Sequence, residues 1–200
     1  MINIIKSGVG NIGSLVRVIE DLEINYKIIN KSEDFKNNWK IILPGIGSFD
    51  SFITSLKKQK IFEKLIELVV HGEIPILGIC VGMQSFFNNS EEGNLGGLGF
   101  INSNCKKFAN NNKKIPHIGW NEIKIIKKNK LFNNIENHYY YYAHSYHVTS
   151  NNDDIILGTT NYGYDFIASI NYKNIYGVQF HPEKSYTQGK QLIKNFISEC

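Results

Sequence analysis

The chain has 200 residues, 42% of them apolar and 20% charged, with a net charge of +4. That length suits one domain spanning residues 1–200, and the proportions are those of an ordinary soluble globular protein. The longest apolar runs are too short to cross a bilayer, and the mild positive charge lies scattered in asparagine-rich stretches such as 106–114 and 124–130 without a binding motif, so neither membrane nor nucleic acid is an expected partner.

The chain opens directly as a strand, Met1-Ile2-Asn3-Ile4-Ile5-Lys6, with no basic leader region or cleavage site, and a cytoplasmic location is expected. Cys80, Cys105 and Cys200 are odd in number and widely spaced. That argues against a disulfide framework and a CxxC metal site, and agrees with a reducing compartment. No metal and no cofactor is expected.

Residues 1–7 read as a first strand. Gly8-Val9-Gly10-Asn11-Ile12-Gly13-Ser14 follows as a tight turn into a helix over 14–22, with Leu15, Val18, Ile19 and Leu22 on one face and Ser14 as N-cap. The glycines fit neither a Walker loop nor a full dinucleotide fingerprint, so a strand-to-helix turn is the better reading. Residues 26–29 and 40–43 read as strands two and three. The third ends in Pro44-Gly45-Ile46-Gly47, a glycine-rich turn whose N–H groups can face an oxyanion. A helix with Phe52, Leu56, Ile61, Phe62 and Leu65 follows, broken near residues 57–60.

The informative stretch is residues 73–84. Ile74, Ile76, Leu77 and Ile79 make a short apolar run that fits a buried parallel strand. Cys80 then stands between Gly78 and Gly82, and Met83, Phe86 and Phe87 follow at helical spacing. Strand, glycine turn and helix form the pattern of a nucleophile elbow, with Cys in place of Ser. A helix N-terminus beyond it favours thiolate, and the N–H of Val81 can face a developing oxyanion. A buried structural cysteine is the bland alternative.

Residues 100–126, 139–148, 155–159, 166–170 and 175–180 read as a β-rich, partly antiparallel half, and 188–200 as a closing amphipathic helix. The early β-α alternation predicts a mostly parallel sheet flanked by helices, with the site at the carboxyl ends of its strands. A thiol nucleophile needs a base, and the base an orienter. His181 follows a strand, and Glu183 stands two residues on with Pro182 stiffening the link.

Gly78-Ile79-Cys80-Val81-Gly82-Met83-Gln84, Pro44-Gly45-Ile46-Gly47 and Phe180-His181-Pro182-Glu183 together resemble the class I (triad) glutamine amidotransferases. Pro116-His117-Ile118-Gly119-Trp120-Asn121-Glu122 and the run from Tyr139 through His144, Ser145 and Tyr146 narrow the resemblance to the HisH family, the glutaminase subunits of imidazole glycerol phosphate synthase. Gly8-Val9-Gly10-Asn11-Ile12 and Glu183-Lys184-Ser185 add to it. The resemblance implies the three-layer, flavodoxin-like α/β fold of that family. It implies glutamine hydrolysis by Cys80, His181 and Glu183, with an oxyanion hole from Ile46, Gly47 and Val81. It also implies substrate contacts from Gln84, Glu92, His144, Ser145 and Tyr146. Ammonia would pass to a (β/α)8-barrel cyclase partner in a heterodimer, with Asn11, Trp120, Asn121, Tyr141 and Lys184 toward that partner. The first strand ends Lys6-Ser7-Gly8 where many relatives carry Asp-Tyr-Gly, a difference that touches the partner face and not the triad. Three rivals stand beside this reading. One is the same glutaminase serving a paralogous sugar-modifying synthase. Another is a peptidase of the related cysteine-elbow superfamily, disfavoured because Val81 rather than His follows the nucleophile. The third is a scaffolding subunit with a dead site.

Overall fold

The computed structural model describes residues 1–35, 39–109 and 113–200; part of the lysine- and asparagine-rich stretch 106–114 therefore lies outside the described residues. Its strands are β1 (Ile2–Ile5), β2 (Tyr26–Ile29), β3 (Ile41–Gly45), β4 (Ile76–Cys80), β5 (Phe87–Ser90), β6 (Ile101–Lys107), β7 (His117–Glu122), β8 (Lys124–Ile125), β9 (Tyr139–His144), β10 (Tyr146–Val148), β11 (Ile156–Asn161), β12 (Asp165–Tyr172) and β13 (Ile175–Val178). The helices are α1 (Gly13–Asp21), α2 (Phe49–Lys58), α3 (Ile61–Ile66), α4 (Val81–Gln84) and α5 (Tyr186–Glu199).

The main sheet runs β2-β1-β3-β4-β13-β12-β10-β6-β5, with β11 and β8 joined beyond β12. From β2 to β13 every pairing is parallel. From β13 to β6 the pairings are antiparallel. Each residue of β1, β3 and β4 is buried, so helices cover both faces there. This is why those strands read as continuous apolar runs and not as alternating ones. A separate antiparallel pair, β7 with β9, stands beside the main sheet.

The predicted α/β layout holds, and three local expectations change. Ser14 does not cap α1. The helix starts one residue earlier, and Asn11 Oδ1 accepts from the Gly13 N–H at 2.7 Å, because an Asn two residues ahead can close that turn itself. Pro44 and Gly45 belong to β3, and only Ile46 and Gly47 form the turn. The helix after Cys80 is a single turn, α4; Phe87 begins β5, and the apolar spacing of Met83, Phe86 and Phe87 reflects burial and not a continuing helix. The break between α2 and α3 falls at Lys60, which adopts φ 56°.

Candidate active site

Register brings the site together. In β4, Cys80 pairs with Gly45 of β3 on one side, while Ile79 pairs with Val178 of β13 on the other. The 46–47 turn and Gln179 therefore both begin one step beyond strands that flank Cys80. At Cys80 the backbone takes φ 54° and ψ −115°, a conformation an L-residue adopts only when its surroundings enforce it. Two close approaches do so. A Cβ on Gly82 would lie 1.9 Å from the Leu43 carbonyl oxygen, and one on Gly45 would lie 2.1 Å from Gly82 N. Glycine at both positions lets α4 sit directly on the end of β3.

His181 follows β13 and is pinned by β9: its N–H donates to the Tyr141 carbonyl at 2.8 Å, and the Ser185 hydroxyl donates to its own carbonyl at 2.6 Å. Its Nδ1 lies 2.8 Å from Glu183 Oε1, and both side chains are buried. Burial disfavours the imidazolium, but Cys80, through its charge and a hydrogen bond, and Glu183 outweigh burial, and the pKa is pushed up to about 10. Glu183 Oε2 is buried without a hydrogen-bond partner among the described residues. Cys80, His181 and Glu183 thus meet in one place, an arrangement that a thiol nucleophile with a base and an orienter would need.

In front of Cys80 lies a cavity of about 190 Å³, lined by Gly47, Val81, Gln84, Glu92, Pro116, Ile118, Ala143, His144, Ser145 and Tyr146 as well as Cys80. It is smaller than the roughly 300–1,000 Å³ of sites for drug-sized ligands and suits an amino-acid-sized one. All five residues expected to contact substrate line it. Glu92 accepts from the Phe49 N–H at 2.9 Å, yet burial and the neighbouring Asp50 leave its pKa raised. Of the expected oxyanion residues, Gly47, at φ +95°, and Val81 line the cavity, whereas Ile46 does not. The Ile46 side chain occupies the place of a Cβ on Gly10 instead, so the 8–12 loop packs against this turn.

The residues expected at a partner face divide. Trp120 is 43% exposed, stacks on Tyr186 at 4.9 Å, and meets Tyr141 edge-on. Lys184 lies over the Tyr141 ring at 5.7 Å, and Asn11 is exposed. Asn121 differs: its amide is engaged within the chain, with Nδ2 2.9 Å from the Asn161 carbonyl oxygen and 3.3 Å from His117 Nε2. Sequence reasoning missed Tyr186, 77% exposed at φ 48°. It also missed His117 and Gln179. His117 is buried between Tyr142 and Tyr162, with ring centroids at 4.7 and 4.0 Å. Its Nδ1 lies 3.1 Å from His144 Nε2. Burial lowers His117 to about 4 and His144 to about 3, so both are neutral at pH 7. The alternation of β7 had carried the hint: His117 and Asn121 share one face with Tyr140 and Tyr142 of the paired strand, while Ile118 and Trp120 point outward. Among the described residues no group of three or more His, Cys, Asp or Glu could hold a metal ion, and no helix is long and apolar enough to cross a membrane.

The family model described as glutamine amidotransferase class-I matches residues 3–200. The imidazole glycerol phosphate synthase subunit HisH 2 of Methanococcus maripaludis is 48% identical over all of both chains. Subunit HisH of Methanocaldococcus jannaschii is 43% identical over 98% of each, and that of Leptospira borgpetersenii 42% identical over 99% of this chain and 100% of its own. Among solved structures, a glutamine amidotransferase superposes with a TM-score of 0.75 at 15% identity, covering 98% of this chain and 96% of that one. The structure of PurLQS from Thermotoga maritima gives 0.72 at 18% identity over 98% and 96%; at such identities the likeness shows the fold. The chain belongs to the class-I glutamine amidotransferases and, within them, to the HisH subunits of imidazole glycerol phosphate synthase.

Proposed function

We propose that the 200 residues act as one glutaminase domain, with Cys80, His181 and Glu183 as its triad. The observation that carries this is the forced backbone of Cys80, with the His181–Glu183 pair against it and an amino-acid-sized cavity in front. His181 takes the Cys80 proton, and Glu183 holds the ring. The sulfur attacks the side-chain amide carbon of glutamine. The tetrahedral oxyanion is received by N–H groups of Val81 and the 46–47 turn. The C–N bond breaks as His181 returns its proton to the departing ammonia. Water then hydrolyses the γ-glutamyl thioester, giving glutamate and the free thiol. Gln84, Glu92, His144, Ser145 and Tyr146 hold the amino-acid end of the substrate.

A synthase subunit implies a partner subunit. The reading extends to a (β/α)8-barrel cyclase, docked as a heterodimer in the cytoplasm over Trp120, Tyr141 and Lys184, with Asn11 and Asn121 at its edges. Exposed aromatics suit such an interface. Ammonia passed directly to the cyclase avoids protonation to ammonium, which is not nucleophilic. The test is glutamate release from glutamine by the pure chain, alone and with the histidine-pathway cyclase and its nucleotide ligand. Strong stimulation is expected. Turnover that the cyclase leaves unchanged would point to a different partner, and no turnover in either setting would overturn the reading.

A further inference from the structure

The nucleophile has a neighbour that the triad does not include. The register that sets Ile79 opposite Val178 sets Cys80 beside Gln179. Gln179 is fully buried, and its Nε2 lies 3.6 Å from Cys80 Sγ. An amide can present either end to a sulfur atom, with opposite effects. An N–H stabilises a thiolate, and a carbonyl oxygen opposes it.

The choice between the two ends is made elsewhere, at one backbone carbonyl. The Tyr146 oxygen can only accept. A Gln84 side-chain atom lies 2.9 Å from it, which must be the amide nitrogen. That nitrogen has a second N–H, directed at the Gln179 side chain 3.0 Å away, so the Gln179 atom there is its oxygen. The Gln179 nitrogen is thereby turned to Cys80. The same carbonyl works in the other direction. His144 Nδ1 donates to it at 2.8 Å, which leaves His144 Nε2 to accept from His117 Nδ1 and His117 Nε2 to accept from Asn121. Both lone pairs of the Tyr146 oxygen are filled, and every member of the chain from Asn121 to Cys80 has one orientation consistent with its neighbours.

We propose that Gln179 is a catalytic residue whose amide N–H, oriented by Gln84 and the Tyr146 carbonyl, stabilises the Cys80 sulfur as an anion before it attacks the substrate. No bond to Gln179 forms or breaks; the thiol proton goes to His181, and the sulfur's charge is shared with the Gln179 donor. The inference rests on Cys80 being the nucleophile.

The test uses the assembled complex and two substitutions. Gln179→Met keeps the length of the side chain and removes the donor. It is expected to lower kcat about tenfold, as for loss of one hydrogen bond to a charged group, with KM for glutamine changed by less than about threefold. Iodoacetamide alkylation of Cys80, followed by the mass of its peptide, should slow severalfold at about pH 7. Gln84→Met releases the Gln179 amide to turn over and should slow alkylation at neutral pH in the same way. Alkylation of a folded Gln179→Met complex at the parent rate at neutral pH would overturn the inference and leave Gln179 a packing residue. If that variant does not fold, Gln84→Met decides on the same readout. Glutaminase activity that survives complete alkylation of Cys80 would instead overturn the nucleophile reading beneath it.

Discussion

The parallel and antiparallel halves of this molecule contribute to the site in different ways. The parallel half, β1 to β4 with β13, positions Cys80 through backbone geometry: a left-handed φ at Cys80 and two glycines that admit α4 to the end of β3. The antiparallel half, with the β7–β9 pair, supplies side chains, the His144–Tyr146 wall and the buried His117 relay, and one backbone carbonyl, that of Tyr141, which holds the His181 N–H. The difference teaches where each half is vulnerable. The parallel half fails when an atom is added. The antiparallel half fails when a hydrogen bond or a charge is changed.

The largest expected effect separates chemistry from assembly. Cys80→Ala should reduce glutamine-dependent synthesis in the complex about 10⁴-fold or more, while ammonia-dependent synthesis stays near the parent rate. Loss of both would mean that Cys80 matters for assembly. Next comes the backbone of the parallel half. Gly82→Ala places a methyl group 1.9 Å from the Leu43 carbonyl oxygen, so β3 and α4 must part. A loss of about 4 kcal/mol or more is expected from denaturant unfolding, at the upper end for a single substitution. A loss under about 1 kcal/mol would show that the close approach is not needed.

The antiparallel half should instead respond to acid. His117 and His144 have folded pKa values of about 4 and about 3, against 6.5 when unfolded, because burial disfavours their charged forms. Above about pH 6.5 neither state binds a proton at these rings, and their contribution is fully present. As pH falls below that, the unfolded chain takes up protons that the folded chain refuses, and stability is lost down to the folded values. At about pH 5 the loss is about 2 kcal/mol per histidine. His117→Phe, which keeps a ring between Tyr142 and Tyr162, should remove its own share of this loss, about 2 kcal/mol, in denaturant titrations compared at about pH 5 and about pH 7. The smallest effect belongs to the outer face of β7. Trp120→Ala should weaken partner affinity about tenfold, measured by titration calorimetry, and change the stability of the isolated chain by under about 1 kcal/mol.

How much was legible in the sequence follows the same division. The elbow could be read because its signal is local, an apolar strand, Gly78 and Gly82 about Cys80, and a turn of helix within a few residues, although Leu43 and Gly45 of β3 complete it. His181 and Glu183 could be paired for the same reason. Ser14 was misread as a cap because Asn11, two residues before the helix, offers the same chemistry. Gln179 could not be read from local pattern, and the alternation of β7 gave only a hint of His117. Gln179 meets Cys80 across 99 positions and Gln84 across 95, and such contacts exist only once β13 has paired with β4. A buried glutamine at a strand end has no periodicity that marks it out until its partners are known.

The measurement that bears most directly on the central claim is the mass of peptides from the complex quenched in acid during glutamine turnover. The account predicts a γ-glutamyl adduct on the peptide carrying Cys80, none on those carrying Cys105 or Cys200, and slower decay of the adduct in Glu183→Gln. Turnover with no adduct at Cys80, and equal turnover in Cys80→Ala, would contradict it.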